Sequence, residues 1–308
     1  MIFAKNGLVR LQLMVVSVVL CIVIVTRVEA AEKIIYSQLT DGYWQLLQME
    51  TDGSNARQLT TTKYDKRDAV CAEQGKTILY RTNNGQLKML NPNTNVEEDL
   101  LSKYNRVSNP EYCGAEKKIM FVRYDPRGLD ISDIWTADIN GDNPRVVTRD
   151  HRLKYQPAYN RDCSRITFIQ ADADDKSAHQ VWVMDSDGQN QQQLTTDKAL
   201  AAGPQFLLEE DSIIFASNRE GKDYEIYGIN MANGHIKQLT NNARLDNGPS
   251  ISPQTGRIAF VSNRAGLQQI WSMTADGAEQ TALGSSDHEA VDPAWCSEIT
   301  TGPQSTEE

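Results

Sequence analysis

Residues 257–277 read RIAFVSNRAGLQQIWSMTADG, and this segment is the clearest copy of a pattern that fills the chain. It holds two short runs rich in β-branched and aromatic residues, 258–261 and 269–273, separated by the polar segment 263–266. Asp276-Gly277 follows the second run as a tight-turn pair. The pattern predicts a β-hairpin, and a single hairpin is marginally stable by itself.

Copies of the hairpin recur upstream at a nearly constant interval. The glycines of their closing turns lie 43 to 47 residues apart, except for one interval of 88 that contains a weaker copy: Gly53, Gly141, Gly188, Gly234 and Gly277. Most turns are followed by a strand that ends in Leu-Thr or Val-Thr. A period of about 45 residues is typical of four-stranded propeller blades. We therefore predict an all-β fold, a six-bladed β-propeller of four-stranded blades.

Residues 1–30 predict a signal peptide. Lys5 and Arg10 precede an apolar run from Leu13 to Val25, and the small residue Ala30 offers a cleavage site. The apolar run of 13 residues is shorter than the roughly 20 that a membrane-spanning helix needs. An uncleaved anchor is the alternative. The prediction is export to the periplasm or the cell surface, with no membrane span after cleavage.

Proline-containing segments between the units predict the innermost strand of each blade. Pro110, Pro157, Pro204 and Pro249 are each followed two residues later by an aromatic or apolar residue. Because proline cannot donate to a ladder, it suits the first residue of an edge strand. One further segment, 292–296, stands alone near the end of the chain. Six complete blades result only if this strand pairs with the first blade. The predicted boundaries are 31–297 for the propeller and 298–308 for a disordered tail.

The cysteines fit this ring. Cys71, Cys113 and Cys296 take the same position in the repeat, and Cys163 lies three residues beyond it. An exported chain meets an oxidising compartment, where four cysteines allow three pairings. Adjacency of the blades favours Cys71 with Cys296 and Cys113 with Cys163. Four buried thiols are the alternative, while the lack of any C-x-x-C spacing argues against a metal site.

The charge of the chain restricts the class of partner. The formal net charge is −10, and loss of residues 1–30 lowers it to −12. An acidic surface without a basic stripe argues against nucleic acid. A protein, a small ligand or a cation remains as the expected partner.

These motifs resemble the TolB-type β-propeller family, with blades of the form P-x-W-S-P-D-G, I-A-F-x-S-x-R-x-G, I-Y-x-M, D-G and L-T. Residues 249–283 match most closely, and the resemblance covers about residues 33–296. TolB itself carries an α/β domain before its propeller, for which this sequence leaves no room. The resemblance implies a bacterial envelope or surface protein that binds another protein through one propeller face. Calcium in the channel occurs in similar propellers and is the one cofactor left open.

An enzyme is the alternative function. The sequence contains no G-x-S-x-G elbow. By strand order, His151, His179 and His288 fall in loops on one face and His235 on the other, so three histidines could ligate a metal as in propeller lyases that act on acidic sugars. The segment 287–289 could serve acid–base chemistry, but an acidic loop needs no such role. The main prediction is therefore a non-catalytic interaction module.

Two long hairpin loops are the predicted binding elements. They span residues 124–133 in the third blade and 171–179 in the fourth, and both lie on the same face. Rigid scaffolds commonly carry recognition residues on such loops. The candidate partner-binding residues are Asp125, Arg127, Asp130, Asp172, Asp174 and Asp175. The last three carboxylates could also hold calcium, although the spacing is not that of an EF-hand.

Overall fold

The computed structural model describes residues 31–298, except 129, 173, 210, 222 and 286. These residues form six four-stranded antiparallel sheets, which confirms the six-bladed propeller. Blades 1 to 3 are built from β1 (Ala31–Thr40), β2 (Tyr43–Glu50), β3 (Arg57–Gln58), β4 (Lys66–Ala72), β5 (Thr77–Thr82), β6 (Leu87–Asn91), β7 (Val96–Leu100), β8 (Val107–Cys113), β9 (Lys118–Tyr124), β10 (Ser132–Asp138) and β11 (Arg145–Val146). A 3-10 turn, Glu73–Gly75, joins β4 to β5.

Blades 4 to 6 repeat the same order. Their strands are β12 (Lys154–Tyr159), β13 (Arg165–Ala171), β14 (His179–Asp185), β15 (Gln192–Gln193), β16 (Ala201–Phe206), β17 (Ser212–Ser217), β18 (Glu225–Asn230), β19 (Ile236–Gln238), β20 (Asp246–Ile251), β21 (Ile258–Ser262), β22 (Gln269–Met273) and β23 (Thr281–Ala282). The last strand, β24 (Ala290–Glu298), belongs to blade 1.

The ring closes as the sequence predicts. Strand β24 is the inner strand of the sheet β24-β1-β2-β3, and it pairs antiparallel with β1 in a register that sets Lys33 opposite Cys296. The first blade is therefore assembled from both ends of the described chain, which leaves no blade with a missing strand. Strand β24 ends at Glu298, one residue past the predicted end of the domain. The predicted signal peptide and the rest of the predicted tail lie outside the described residues.

Apolar side chains of neighbouring blades pack against one another to form the core. One cluster joins Ile34 of blade 1 to Ala259 of blade 6, and another joins Leu79 of blade 2 to Phe121 of blade 3. All four side chains have no exposed surface. Because each blade buries its faces against two neighbours, the stability of the ring depends on its closure.

The repeated Leu-Thr pair has a structural role. In blade 4 the hydroxyl of Thr195 donates to Oε1 of Gln180 at 2.6 Å and accepts the backbone N–H of Val181 at 3.0 Å. The same two bonds are made by three other threonines: Thr60 with Gln45 and Leu46, Thr148 with Asp133 and Ile134, and Thr240 with Glu225 and Ile226. Each threonine satisfies a backbone donor of the third strand that lies beside the very short outer strand.

The position expected for the prolines was wrong. Pro110, for example, is the fourth residue of β8, not the first. The pairing of β8 with β9 shifts register between Ser108 and Glu111, so the proline lies in a β-bulge, where no ladder hydrogen bond is lost. The same shift occurs in the inner strands of blades 2, 4, 5 and 6.

The disulfide pairing is confirmed. Cys71 is bonded to Cys296 with their Cα atoms 5.2 Å apart, and Cys113 is bonded to Cys163 with Cα atoms 5.9 Å apart. The first bond joins blade 2 to the C-terminal strand of blade 1, and the second joins blade 3 to blade 4. Both bonds therefore link neighbouring blades.

Candidate ligand-binding face

The two faces of the ring differ in the connections that they carry. We number the four strands of each blade from the channel outward. The upper face carries the loops that join the second strand to the third within a blade. It also carries the loops that join the outer strand of one blade to the inner strand of the next. The third-blade loop, 125–131, and the fourth-blade loop, 172–178, are both connections from second to third strand and lie on this upper face. They are shorter than predicted because Tyr124 pairs with Ser132, and Ala171 with His179, at the ends of the hairpins.

The central channel is lined by one residue from the bulge of every inner strand. These six residues all have positive φ: Asp68, Asn109, Gln156, Gly203, Gly248 and Asp292. Four of them carry polar side chains, and the two glycines are adjacent in blades 5 and 6. The channel, with a volume of about 340 Å³, is therefore polar on the side of blades 1 to 4. Five of the six residues directly precede a proline, so an alignment of the repeats on their prolines would have located those five.

Hydrogen bonds link this ring from blade to blade. Oδ1 of Asn109 accepts the backbone N–H of Gln156 at 3.3 Å, and Oε1 of Gln156 accepts the N–H of Gly203 at 2.8 Å. Oδ2 of Asp292 accepts the N–H of Asp68 at 3.3 Å. Each of these side chains thus satisfies a backbone donor in the next blade and fixes the channel wall.

Two ion pairs lie side by side at the seam between blades 1 and 2. Arg67 donates to Asp292 at 2.5 Å, and Arg81 donates to Asp68 at 2.7 Å. Burial and the neighbouring charge of Asp292 raise the pKa of Asp68, while Arg81 opposes that increase. Each carboxylate has its own guanidinium partner, so neither is a free anionic group in the channel.

Among the described residues that line the channel, Glu111 is the acidic one without a guanidinium partner. It lies on β8, one residue after the bulge proline, and lines the channel. Loss of hydration raises the pKa of its carboxyl group to about 8. The carboxyl group is therefore harder to ionise than that of a hydrated glutamate.

A second cavity of about 690 Å³ opens on the upper face beside the channel. Residues of blades 2, 3 and 4 line it, among them Arg81, Arg106, Tyr124 and Tyr155. Nη1 of Arg106 donates to the carbonyl oxygen of Pro126 at 2.8 Å, which ties this cavity to the third-blade loop. Sequence reasoning missed Arg106. An alignment of the repeats could have revealed it, because Arg106 lies four residues before Pro110. Blades 4 to 6 carry a leucine at the equivalent position: Leu153, Leu200 and Leu245.

The third-blade loop is held by one of its predicted binding residues. Asp125 accepts three hydrogen bonds from Arg127, from the backbone N–H at 2.8 Å, from Nε at 2.9 Å and from Nη2 at 2.8 Å. These bonds hold the pKa of Asp125 well below its usual range. The Arg127 side chain is nevertheless 85% exposed, and Asp130 is exposed as well. The loop therefore presents a preformed surface.

The fourth-blade loop is also held by its own carboxylates. Oδ1 of Asp172 accepts the backbone N–H groups of Asp174 and Asp175 at 2.8 and 3.1 Å, and Oδ1 of Asp175 accepts the N–H of Ser177 at 3.1 Å. These are turn contacts, and they leave Asp174 as the exposed carboxylate of the loop. In the described part of the loop, the three carboxylates do not come together as a set of metal ligands.

The histidines of the upper face have separate surroundings. Nδ1 of His151 lies 3.4 Å from Oδ2 of Asp133, whereas Nδ1 of His179 lies 2.6 Å from the Tyr155 hydroxyl. His288 is exposed. Across residues 31–298, apart from the five gaps, no group of three or more His, Cys, Asp or Glu side chains is placed to hold a metal ion.

The family is shown by a direct match of the sequence. A family model described as the TolB beta propeller domain matches residues 115–301, which is more than half of the 308 residues. The chain belongs to the TolB β-propeller domain family. This result agrees with the blades, the closure and the repeat of the structure.

Solved structures share the fold of this TolB-family propeller. TolB from Acinetobacter baumannii aligns with a TM-score of 0.73 at 17% identity over 86% of this chain and 66% of that one, so this chain spans less than two thirds of it. A nidogen/laminin complex gives 0.70 at 9% identity over 87% and 100%, and an oligogalacturonate lyase with manganese gives 0.57 at 14% over 83% and 74%. Identities this low show the fold alone.

Two further observations bear on function only indirectly. No curated protein matches the TolB-family chain significantly. In the part of the chain that the structure describes, none of the helical segments has the length and apolar character of a membrane span.

Proposed function

We propose that this TolB-family propeller is an exported, non-catalytic interaction module that binds a protein partner through its upper face. The observation that carries the proposal is the position of the two long loops. They belong to neighbouring blades and are fixed by their own Asp125 and Asp172, and the third-blade loop contacts Arg106 of the cavity through the carbonyl oxygen of Pro126. A preformed surface costs little ordering entropy on binding. Loops held by a rigid ring therefore suit recognition.

Export is supported by the predicted signal peptide and by the two disulfides. Disulfides persist in oxidising compartments and are rare in the cytosol. We therefore place the protein in the periplasm or at the cell surface, as part of an envelope or surface assembly. Fractionation of cells that express the full chain tests this location. Recovery of the protein with free thiols in the cytosol would contradict it.

The binding face is tested by exchanging one loop. Residues 172–178 are replaced by the shorter loop of blade 6, residues 263–268, which spans the equivalent strands of the same scaffold. We expect an unchanged melting temperature and weaker capture of the partner in crosslinking and affinity purification from envelope extracts.

A pair of charge variants gives the matched comparison for the loop exchange. Asp174→Asn lies on the upper face, and Glu209→Gln is an exposed carboxylate on the lower face. Capture should fall with the first variant and stay constant with the second. Unaltered capture in both upper-face variants would place the interface elsewhere. Calcium binding stays a prediction, which metal analysis of the purified protein tests.

A further inference from the structure

The lining of the cavity beside the channel includes one residue that differs from its equivalents in blades 4 to 6, Arg106. The equivalent positions in blades 4 to 6, four residues before the bulge proline, carry leucine. Arg106 also has a φ of 60°, which none of those three leucines shares. A non-glycine residue in the left-handed region costs free energy and is common at functional sites. Both its residue type and its backbone thus set Arg106 apart from the equivalent residues of blades 4 to 6.

The backbone of Arg106 is held on two sides. Its carbonyl oxygen accepts the N–H of Tyr124 at 3.0 Å, and the next residue, Val107, donates its N–H to the carbonyl oxygen of Gly85 at 3.0 Å. Gly85 itself has a φ of 75°, and a Cβ there would lie 3.1 Å from Cα of Arg106. The end of β9 and the turn at Gly85 therefore fix where the arginine side chain starts.

No carboxylate in the described part of the chain balances the charge of Arg106. Among the described residues, the one hydrogen bond of its side chain runs from Nη1 to the carbonyl oxygen of Pro126, and no described carboxylate forms an ion pair with it. The other ionised groups of the cavity lining, Arg81 and Asp68, are paired with each other. The cavity of a protein whose net charge is −10 thus retains one positive charge. A carboxylate matches this charge and the planar donor fork of a guanidinium.

We propose that Arg106 anchors a single carboxylate of an acidic residue in the protein partner, within the cavity beside the channel. This inference rests on the proposed function, because it assumes that the partner docks on the upper face. Tyr124 and the exposed amide of Asn83 lie in the same cavity lining and can hydrogen-bond the neighbouring peptide groups. The bond from Arg106 to Pro126 couples this anchor to the third-blade loop.

The test uses two capped peptides, acetyl-Gly-Gly-Glu-Gly-Gly-amide and its Gln counterpart, titrated into the intact protein by NMR. We expect the Glu peptide to bind about tenfold more tightly, as for a charge-assisted hydrogen bond, and to shift the side-chain signals of Arg106. Arg106→Asn removes the charge with a residue that tolerates positive φ, so this preference should disappear. Arg106→Lys keeps the charge but not the planar donor fork, so it should retain only part of the preference for the Glu peptide.

The control is Lys117→Asn, which makes the same change at an exposed, positive-φ residue on the lower face. It should keep the full preference for Glu and melt like Arg106→Asn. Equal binding of the two peptides by the wild type, or an equal loss in both Asn variants, would overturn the proposal. Tighter binding of D-galacturonate than of the Glu peptide would overturn the peptide assignment. If partner capture responds to the loop exchange but not to Arg106→Asn, the proposed function stands and this anchor does not.

Discussion

The disulfide at the seam should contribute more to stability than the other disulfide. Cys71 and Cys296 are 225 residues apart in sequence, whereas Cys113 and Cys163 are 50 apart. On the chain-entropy model, closing these loops destabilises the unfolded state by about 5 kcal/mol for the first bond and about 4 kcal/mol for the second. The pair Cys71→Ala and Cys296→Ala should therefore lower the free energy of unfolding by about 1 kcal/mol more than the other pair of alanines.

Urea denaturation of the two double variants, followed by fluorescence, measures the difference. All four cysteine side chains are at least partly buried and alanine replaces each of them, so the two variants lose similar packing. Mass mapping without reduction is the control for the pairing itself. The reasoning would be refuted if the seam variant were as stable as the wild type, or if four thiols could be alkylated in the oxidised protein.

Two further substitutions test individual groups. Glu111→Gln should leave stability unchanged at about pH 3, because the carboxyl is then neutral in the folded and the unfolded state. As the pH rises from 4.5 to about 8, the unfolded chain releases a proton that the folded chain keeps. The wild type should therefore lose up to about 3–5 kcal/mol of stability relative to the variant, measured by urea denaturation across pH. Equal pH profiles would show that Glu111 is hydrated. Thr195→Val should cost about 1–3 kcal/mol because it removes the acceptor for the Val181 N–H, whereas Thr196→Val, at an exposed position, should be close to neutral in the same assay.

Several site features could not be read from the sequence, for physical reasons. The bulge residues were not recognised, because a proline in a strand excludes a ladder bond without showing whether it begins the strand or lies in a bulge. Asp125 and Asp172 were assigned to binding, yet each also holds its own loop through hydrogen bonds. Side-chain bonds of this kind depend on the exact path of the backbone. The composition of a loop gives no information about the path of its backbone.

The number of blades, their strand order and the closure by the last strand were determined by the sequence alone, which also favoured the pairing of Cys71 with Cys296 that the structure shows. They follow from a period of hydrophobic runs and turns, which is local, and from counting repeats around a closed ring. The cavity around Arg106 was decided only by the tertiary structure. Its walls come from three blades, and only when those blades surround Arg106 does it become visible that no described carboxylate pairs with it. A linear pattern records neighbours along the chain, while an unpaired charge is a property of neighbours in space.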